Sequence, residues 1–178
     1  MSSRVVLYAA ISLDGYLADP DGGVGWLDQF DPGDLGYERF LAAVGSLVMG
    51  RATYDQVRTF GEWPYPGRRT AVLTHRPLDD DVPPDVEAWD GTDPLSCLDR
   101  LNAASPGDVW IVGGAQTLRL FLDEDLVEET EVFVMPLLLR AGIPLWEQST
   151  YGRLQRWDLV AAEAHDHGVV RLHHRRRR

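Results

Sequence analysis

Twice along this chain an apolar, β-branched run stops at glycine and passes without a linker into helical spacing. The first instance is LVMGRATYDQV, Leu47 to Val57, and the second is VWIVGGAQTLRLFL, Val109 to Leu122. A strand that hands over directly to a helix returns to its sheet by a crossover, which is right-handed and lays successive strands parallel. Repetition of that unit predicts a mostly parallel sheet with helices on both faces.

The rest of the chain fits the same plan. Val5–Leu13 reads as a buried strand. Residues 12–34 are crowded with Gly, Asp and Pro, a loop long enough to suggest function. Spacing at Leu35, Phe40, Leu41 and Val44 predicts a helix over Leu35–Val44, with Asp34 as its N-cap. Strands are expected over Ser46–Met49, Thr70–Thr74, Val86–Trp89, Asp108–Val112 and Glu131–Leu138. Helices are expected over Ala52–Phe60, Leu95–Ala104 and Ala115–Leu122. Arg156–Ala164 and Val169–Arg175 flank HDHG with no helix between them and read as a hairpin. The expected fold class is α/β: a three-layer α/β/α sandwich on a mostly parallel sheet with antiparallel C-terminal strands. One domain over residues 1–178 is long enough to bury a full core without disulfides or metal.

Composition narrows the chemistry. All 17 basic residues are Arg, which excludes a Schiff-base or pyridoxal lysine and a Walker-type phosphate lysine. The single cysteine, Cys97, reads as a packed helical side chain. Five Arg fall in the last eight residues, so the remainder holds 12 basic against 28 acidic residues, a balance of −16. Such a body repels nucleic acid, and the basic tail is expected to be a strand end fraying into solvent. His165, His167, His173 and His174 are expected to be exposed rather than metal ligands. No run reaches membrane-spanning length and the chain enters a strand without an apolar leader, so a cytoplasmic protein with no membrane partner is expected.

The two glycine handovers suggest a ligand. Amides at a helix start are unpaired and lie at the positive end of the helix dipole, which suits phosphate, and glycine permits close approach. Two such places can hold one dinucleotide; tight turning alone is the competing explanation for each. Neither has Rossmann G-x-G-x-x-G spacing. Instead VMGRATY (Val48 to Tyr54) with IVGGAQTL (Ile111 to Leu118) resembles the dihydrofolate reductase superfamily. More specifically, AISLDGYLADPDG, GEWPYPG and PLLLRAGIPLW are similar to stand-alone relatives of the reductase domain of bifunctional riboflavin-biosynthesis proteins.

That resemblance implies NADPH and a set of residues to hold it. Gly50, Arg51 and Thr53 match the first phosphate-binding turn. Gly113 and Gly114 match a glycine pair joined in the family by a cis peptide, and Ala115, Gln116 and Thr117 open the next helix. Ala10 and Ile11 match the strand end beside the nicotinamide, under a mobile flap formed by residues 12–26. Thr74, His75 and Arg76 match the adenosine 2′-phosphate site. An incoming 2′-phosphate needs local positive charge on so acidic a body, and Arg76 supplies it; an ordinary surface arginine before Pro77 is the alternative.

In dihydrofolate reductases a carboxylate at the first helix holds or protonates the substrate, and Asp34 stands at the corresponding point. It could equally be a plain helix cap. Trp26 and Tyr37 could wall the substrate pocket or belong to the core. Two departures weaken the substrate half of the resemblance: Val112 stands where the riboflavin-type reductases carry Glu, and Phe133-Val134-Met135 where dihydrofolate reductases carry Thr. The expected activity is NADPH-dependent hydride transfer to a C=N or C=O carbon of a pyrimidine- or pteridine-like small molecule. The alternative is a non-catalytic nucleotide-binding or regulatory protein on the same fold. A homodimer is expected by analogy with the relatives.

Overall fold

A computed structural model describes residues 3–30, 35–91, 93–149 and 152–177. Eight strands form one sheet: β1 (Val5–Ser12), β3 (Val44–Gly50), β4 (Arg69–Leu73), β5 (Val86–Trp89), β6 (Asp108–Gly113), β7 (Glu129–Met135), β9 (Trp157–Ala164) and β10 (Val170–Arg176). Their order is β5-β4-β3-β6-β1-β7-β10-β9, and a separate two-stranded sheet pairs β2 (Tyr16–Ala18) with β8 (Ile143–Pro144). All pairings from β5 to β7 are parallel; β10 runs antiparallel to both β7 and β9. The expected α/β class, the mostly parallel sheet and its antiparallel C-terminal strands are all present.

Among the described residues four α-helices cover the sheet: α1 (Tyr37–Ala43), α2 (Arg51–Thr59), α3 (Pro94–Ala104) and α4 (Ala115–Asp123). On one face α3 and α4 bury Cys97, Leu98, Leu101, Leu118 and Phe121 against Leu7, Ile11, Val48 and Ile111. On the other, Tyr54 and Val57 of α2, with Tyr37 and Phe40 of α1, cover Val6, Leu47, Met49 and Trp110. Three- and four-residue spacing is what aligns these side chains on one stripe of each helix, and each one fully buried stabilises the fold by roughly 1.5–3 kcal/mol. Burial pushes the Cys97 thiol up to about 12, as suits a packed side chain.

Several boundaries differ from the expected ones. α1 starts at Tyr37 behind Gly36, whose φ of 75° is left-handed and which offers no side-chain cap of its own. Asp34, expected to be that cap, lies outside the described residues. β3 begins two residues early, at Val44, because Val44 and Gly45 are already buried in the sheet. β7 occupies Glu129–Met135 rather than Glu131–Leu138, leaving Leu137 and Leu138 to the following loop.

Over its described residues, 171–177, the basic tail does not fray. β10 is inserted between β7 and β9, and its arginines find carboxylates on both neighbours. Arg171, buried, pairs with Glu131 at 2.7 Å and Glu163 at 2.8 Å. Glu129 accepts from Arg175 at 2.9 Å and from Arg4 at 3.1 Å, and His173 Nε2 lies 3.1 Å from its second oxygen. Burial alone would raise the Glu129 carboxyl, but Arg175, His173 and Arg4 together hold it below the usual range. Its contribution to stability is therefore present at neutral pH and lost as acid approaches that lowered pKa. His165, His173 and His174 are partly buried, against expectation, while His167 is exposed. The arginines are ion-pair partners across strands, so charge count alone misread them. Replacing Arg171 by Met keeps its stem but leaves Glu131 unpaired; it should cost about 1–3 kcal/mol in urea unfolding. No loss of stability would mean that the pairs contribute nothing.

Candidate active site

The C-terminal ends of β4, β3, β6 and β1 lie side by side, and the glycine handovers fall there. α2 follows Gly50 and α4 follows Gly114; both caps are extended glycines with no side-chain cap. By contrast Asp93 caps α3, accepting from Leu95 N at 3.0 Å, with Pro94 in the first turn. The two helix starts meet. A Cβ at Gly50 would come within 2.9 Å of Thr117 Oγ1, and one at Gly114 within 3.6 Å of Thr53 Oγ1. Gly113 has φ of 138°, a conformation that needs glycine, and its bond to Gly114 is cis. Thus Gly50, Arg51, Thr53, Gly113, Gly114, Ala115, Gln116 and Thr117 form one cluster, in which two helix N-termini converge without side-chain caps. An anion is what such an arrangement attracts. Ala10 and Ile11 close the next strand, in register with Phe133 and Val134.

Beyond β4 the chain turns at Thr74, whose hydroxyl accepts from Arg76 N at 3.1 Å, leaving the side chains of His75 and Arg76 exposed. Arg51 reaches across to this loop. Its guanidinium donates to Asp55 at 2.6 Å and Pro77 O at 2.7 Å, and lies 3.6 Å from Asp79. Arg51 is thus a clamp between α2 and the 74–79 loop, and Arg76 is the arginine of this pair left open to solvent.

Residues 12–26 are held at both ends. At the base, Ser12 Oγ donates to Asp14 at 2.6 Å, and Asp14 also accepts from Leu139 N at 3.2 Å and Arg140 N at 2.8 Å. Those bonds, the Ser12 hydroxyl foremost, hold the Asp14 carboxyl below its ordinary range. β2 then pairs with β8, and a Cβ at Gly142 would strike Ala18 O, so only glycine fits there. At the far end Gln56 of α2 donates to Gly22 O at 2.9 Å. Two stretches singled out separately in the sequence, AISLDGYLADPDG and PLLLRAGIPLW, are therefore in contact, and the first crosses to α2. Asp14, Gln56 and Gly142 escaped sequence reasoning; the Asp-Gly turn at Asp14 was the available signal.

Trp26 packs with Ala10, Phe133 and Met135, and Tyr37 with Trp110, in both cases half-buried. Between them Tyr8 stacks on Phe40 at 4.1 Å and approaches Phe133 at 4.8 Å; its hydroxyl donates to Leu35 O at 3.1 Å. Burial, with Glu131 nearby, raises the Tyr8 phenol well above its ordinary value, so it stays a neutral donor. Trp26 and Tyr37 are brought to one aromatic wall, with Tyr8 as the member the sequence did not single out. Val112 sits beside the glycine pair, partly buried.

Residues 66–171 match the family model described as the RibD C-terminal domain. The chain belongs to the RibD C-terminal domain family. Among relatives, the uncharacterized YwjB of Bacillus subtilis is 34% identical over 152 residues, covering 84% of this chain and 86% of YwjB. A crystal structure of a protein assigned to riboflavin biosynthesis in Shewanella sp. PV-4 superposes with a TM-score of 0.87 at 29% identity, covering 98% of this chain and 99% of that one. A dihydrofolate reductase from Enterococcus faecalis complexed with NADP(H) shares the fold, with a TM-score of 0.70 at 18% identity and coverage of 100% and 99%. The RibD C-terminal assignment and the dihydrofolate reductase-like architecture thus agree with the resemblance seen in the sequence. In the described residues no helix is long and apolar enough to cross a membrane.

Proposed function

We propose that this RibD C-terminal-type protein is an NADPH-dependent reductase acting on a pyrimidine- or pteridine-like small molecule. The observation that supports it most is the meeting of two helix N-termini, α2 behind Gly50 and α4 behind Gly114, neither of them with a side-chain cap. Bound there, a nicotinamide dinucleotide supplies hydride for a C=N or C=O carbon. The first amides of α2 and α4, with Thr53 and Thr117 between them, suit its pyrophosphate. Arg76 suits an adenosine 2′-phosphate, while Arg51 fixes the loop that presents Arg76. Ala10 and Ile11 offer a flat strand end to the nicotinamide, and the tethered 12–26 segment keeps water from it. Asp34, one residue before the carbonyl held by Tyr8, is proposed to hold or protonate a nitrogen of the substrate.

Tryptophan fluorescence titrated with NADPH and NADH tests the cofactor, and NADPH oxidation with a phosphoribosylamino-pyrimidine or dihydrofolate then tests turnover. Binding without turnover of any pyrimidine or pterin would favour a regulatory nucleotide-binding protein. That reading draws on Tyr8 packing against both Phe40 and Phe133 on the substrate side. For the cofactor preference, Arg76→Ala should weaken NADPH by about 1.5–3 kcal/mol and leave NADH unchanged, since only one ligand has the 2′-phosphate. An unchanged ratio of the two affinities removes Arg76 from the site.

A further inference from the structure

Between α1 and the sheet lies a cleft of about 180 Å³, room for roughly six water molecules at ~30 Å³ each. It sits at the N-terminal ends of β1 and β7, away from the glycine cluster at the C-terminal ends of the strands. Val6 lines it, and two residues further along the same face of β1 Tyr8 stacks on Phe40 at 4.1 Å. That stack stands between the cleft and Ala10, so the cleft is separate from the proposed nicotinamide site.

One side of the cleft is apolar, where Val6 meets Phe40 and Ala43 of α1. The sheet side carries Arg4, Asp108, Glu129, Glu131 and His173, and most of these groups are already engaged. Arg4 donates to Asp108 at 3.2 Å and to Glu129 at 3.1 Å. Glu129 accepts on both oxygens, from Arg175 on one and from Arg4 on the other, which His173 Nε2 also approaches. Two acceptors are left over. Glu131 receives Arg171 on Oε2 alone, and its Oε1 has no partner among the described residues. His173 turns an N–H toward Glu129, because a carboxylate only accepts; Nδ1 of the neutral ring is then an acceptor, also without a partner among the described residues. At the rim Arg39 is exposed and makes no ion pair among the described residues. Arg39 and Glu131 both act electrostatically on the Tyr8 phenol, so these opposite charges share one neighbourhood.

We infer that this cleft binds a free α-amino acid with a short apolar side chain. Its ammonium group donates to Glu131 Oε1 and His173 Nδ1, its carboxylate meets Arg39, and its side chain lies on Val6, Phe40 and Ala43. Each charged end thereby gains a partner, which removal from water demands. A plain anion would meet Arg39 but face Glu129 and Glu131. A plain cation would leave Arg39 unpaired.

Calorimetric titration of the full chain with L-leucine tests this. L-leucine should bind saturably. Two probes of similar shape, 4-methylpentanoate without the ammonium and 3-methylbutylamine without the carboxylate, should each bind at least ~10-fold more weakly. Arg39→Gln, at an exposed site, should weaken L-leucine by at least ~10-fold as well. Ala43→Leu should weaken it by filling part of the apolar side while leaving every charge in place. Far-ultraviolet circular dichroism checks that both variants keep the fold. No saturable binding of L-leucine, equal binding of all three probes, or binding indifferent to both substitutions would overturn the proposal. Should Ala43→Leu not fold, Arg39→Gln decides alone.

Discussion

Gly114→Ala should abolish dinucleotide binding while the protein stays folded. A Cβ there lies 3.6 Å from Thr53 Oγ1, an ordinary contact, so nothing in the protein itself must move. In the proposed binding mode the methyl instead takes up space at the start of α4, where the backbone amides would have to come within hydrogen-bonding distance of a pyrophosphate. Losing several charge-assisted contacts at about 1.5–3 kcal/mol each leaves no measurable affinity. Gly50→Ala is a poorer experiment, since its Cβ would meet Thr117 Oγ1 at 2.9 Å and could disturb packing between the two helices. The measurement is NADPH titration beside thermal unfolding. Normal binding by the Gly114→Ala protein would reduce the glycine pair to a turn.

Asp34→Asn should lower the hydride-transfer rate by ~100-fold or more, the usual contribution of a positioned proton donor. NADPH affinity should not change. Asn caps a helix about as well as Asp, so a rate effect of this substitution is separable from any loss of capping. Single-turnover rates at saturating NADPH separate the two quantities. Full activity in the Asn protein would leave Asp34 with no chemical role. Val112 predicts a related result: turnover of the phosphoribosylamino-pyrimidine should be weak, because a valine offers no polar contact where riboflavin-type reductases place a Glu. Efficient turnover would make that contact dispensable.

The parts of the fold legible in the sequence were those governed by local periodicity. Strand–helix handovers at Gly50 and Gly113-Gly114 are written in consecutive residues, so both the parallel sheet and the two helix starts that meet beside it could be read directly. What depended on distant partners could not. β2 has three residues and β8 two, too few for any period, and they exist only because each lies against the other. Asp14 gains its role from Leu139 and Arg140, about which its own neighbourhood says nothing. The arginines of β10 looked like a solvated tail because Glu129, Glu131 and Glu163 become their partners only after three strands align. Arg51 was matched to a phosphate-binding turn by resemblance; that it also clamps the 74–79 loop depends on Asp55 and Asp79, which lie outside that motif.

The position of β1 has a consequence for how the chain is made. This first strand lies between β6 and β7, with Val5 in register with Val109 and Val6 with Glu129. While a ribosome is still building residues up to β6, β1 has no neighbour to pair with, and its run VVLYAAIS stays unpaired and apolar. Contacts so far apart in sequence must close a large loop before they stabilise anything, which slows folding. The window between emergence of β1 and arrival of β7 is thus the interval in which a nascent chain is most exposed to aggregation and most in need of a chaperone.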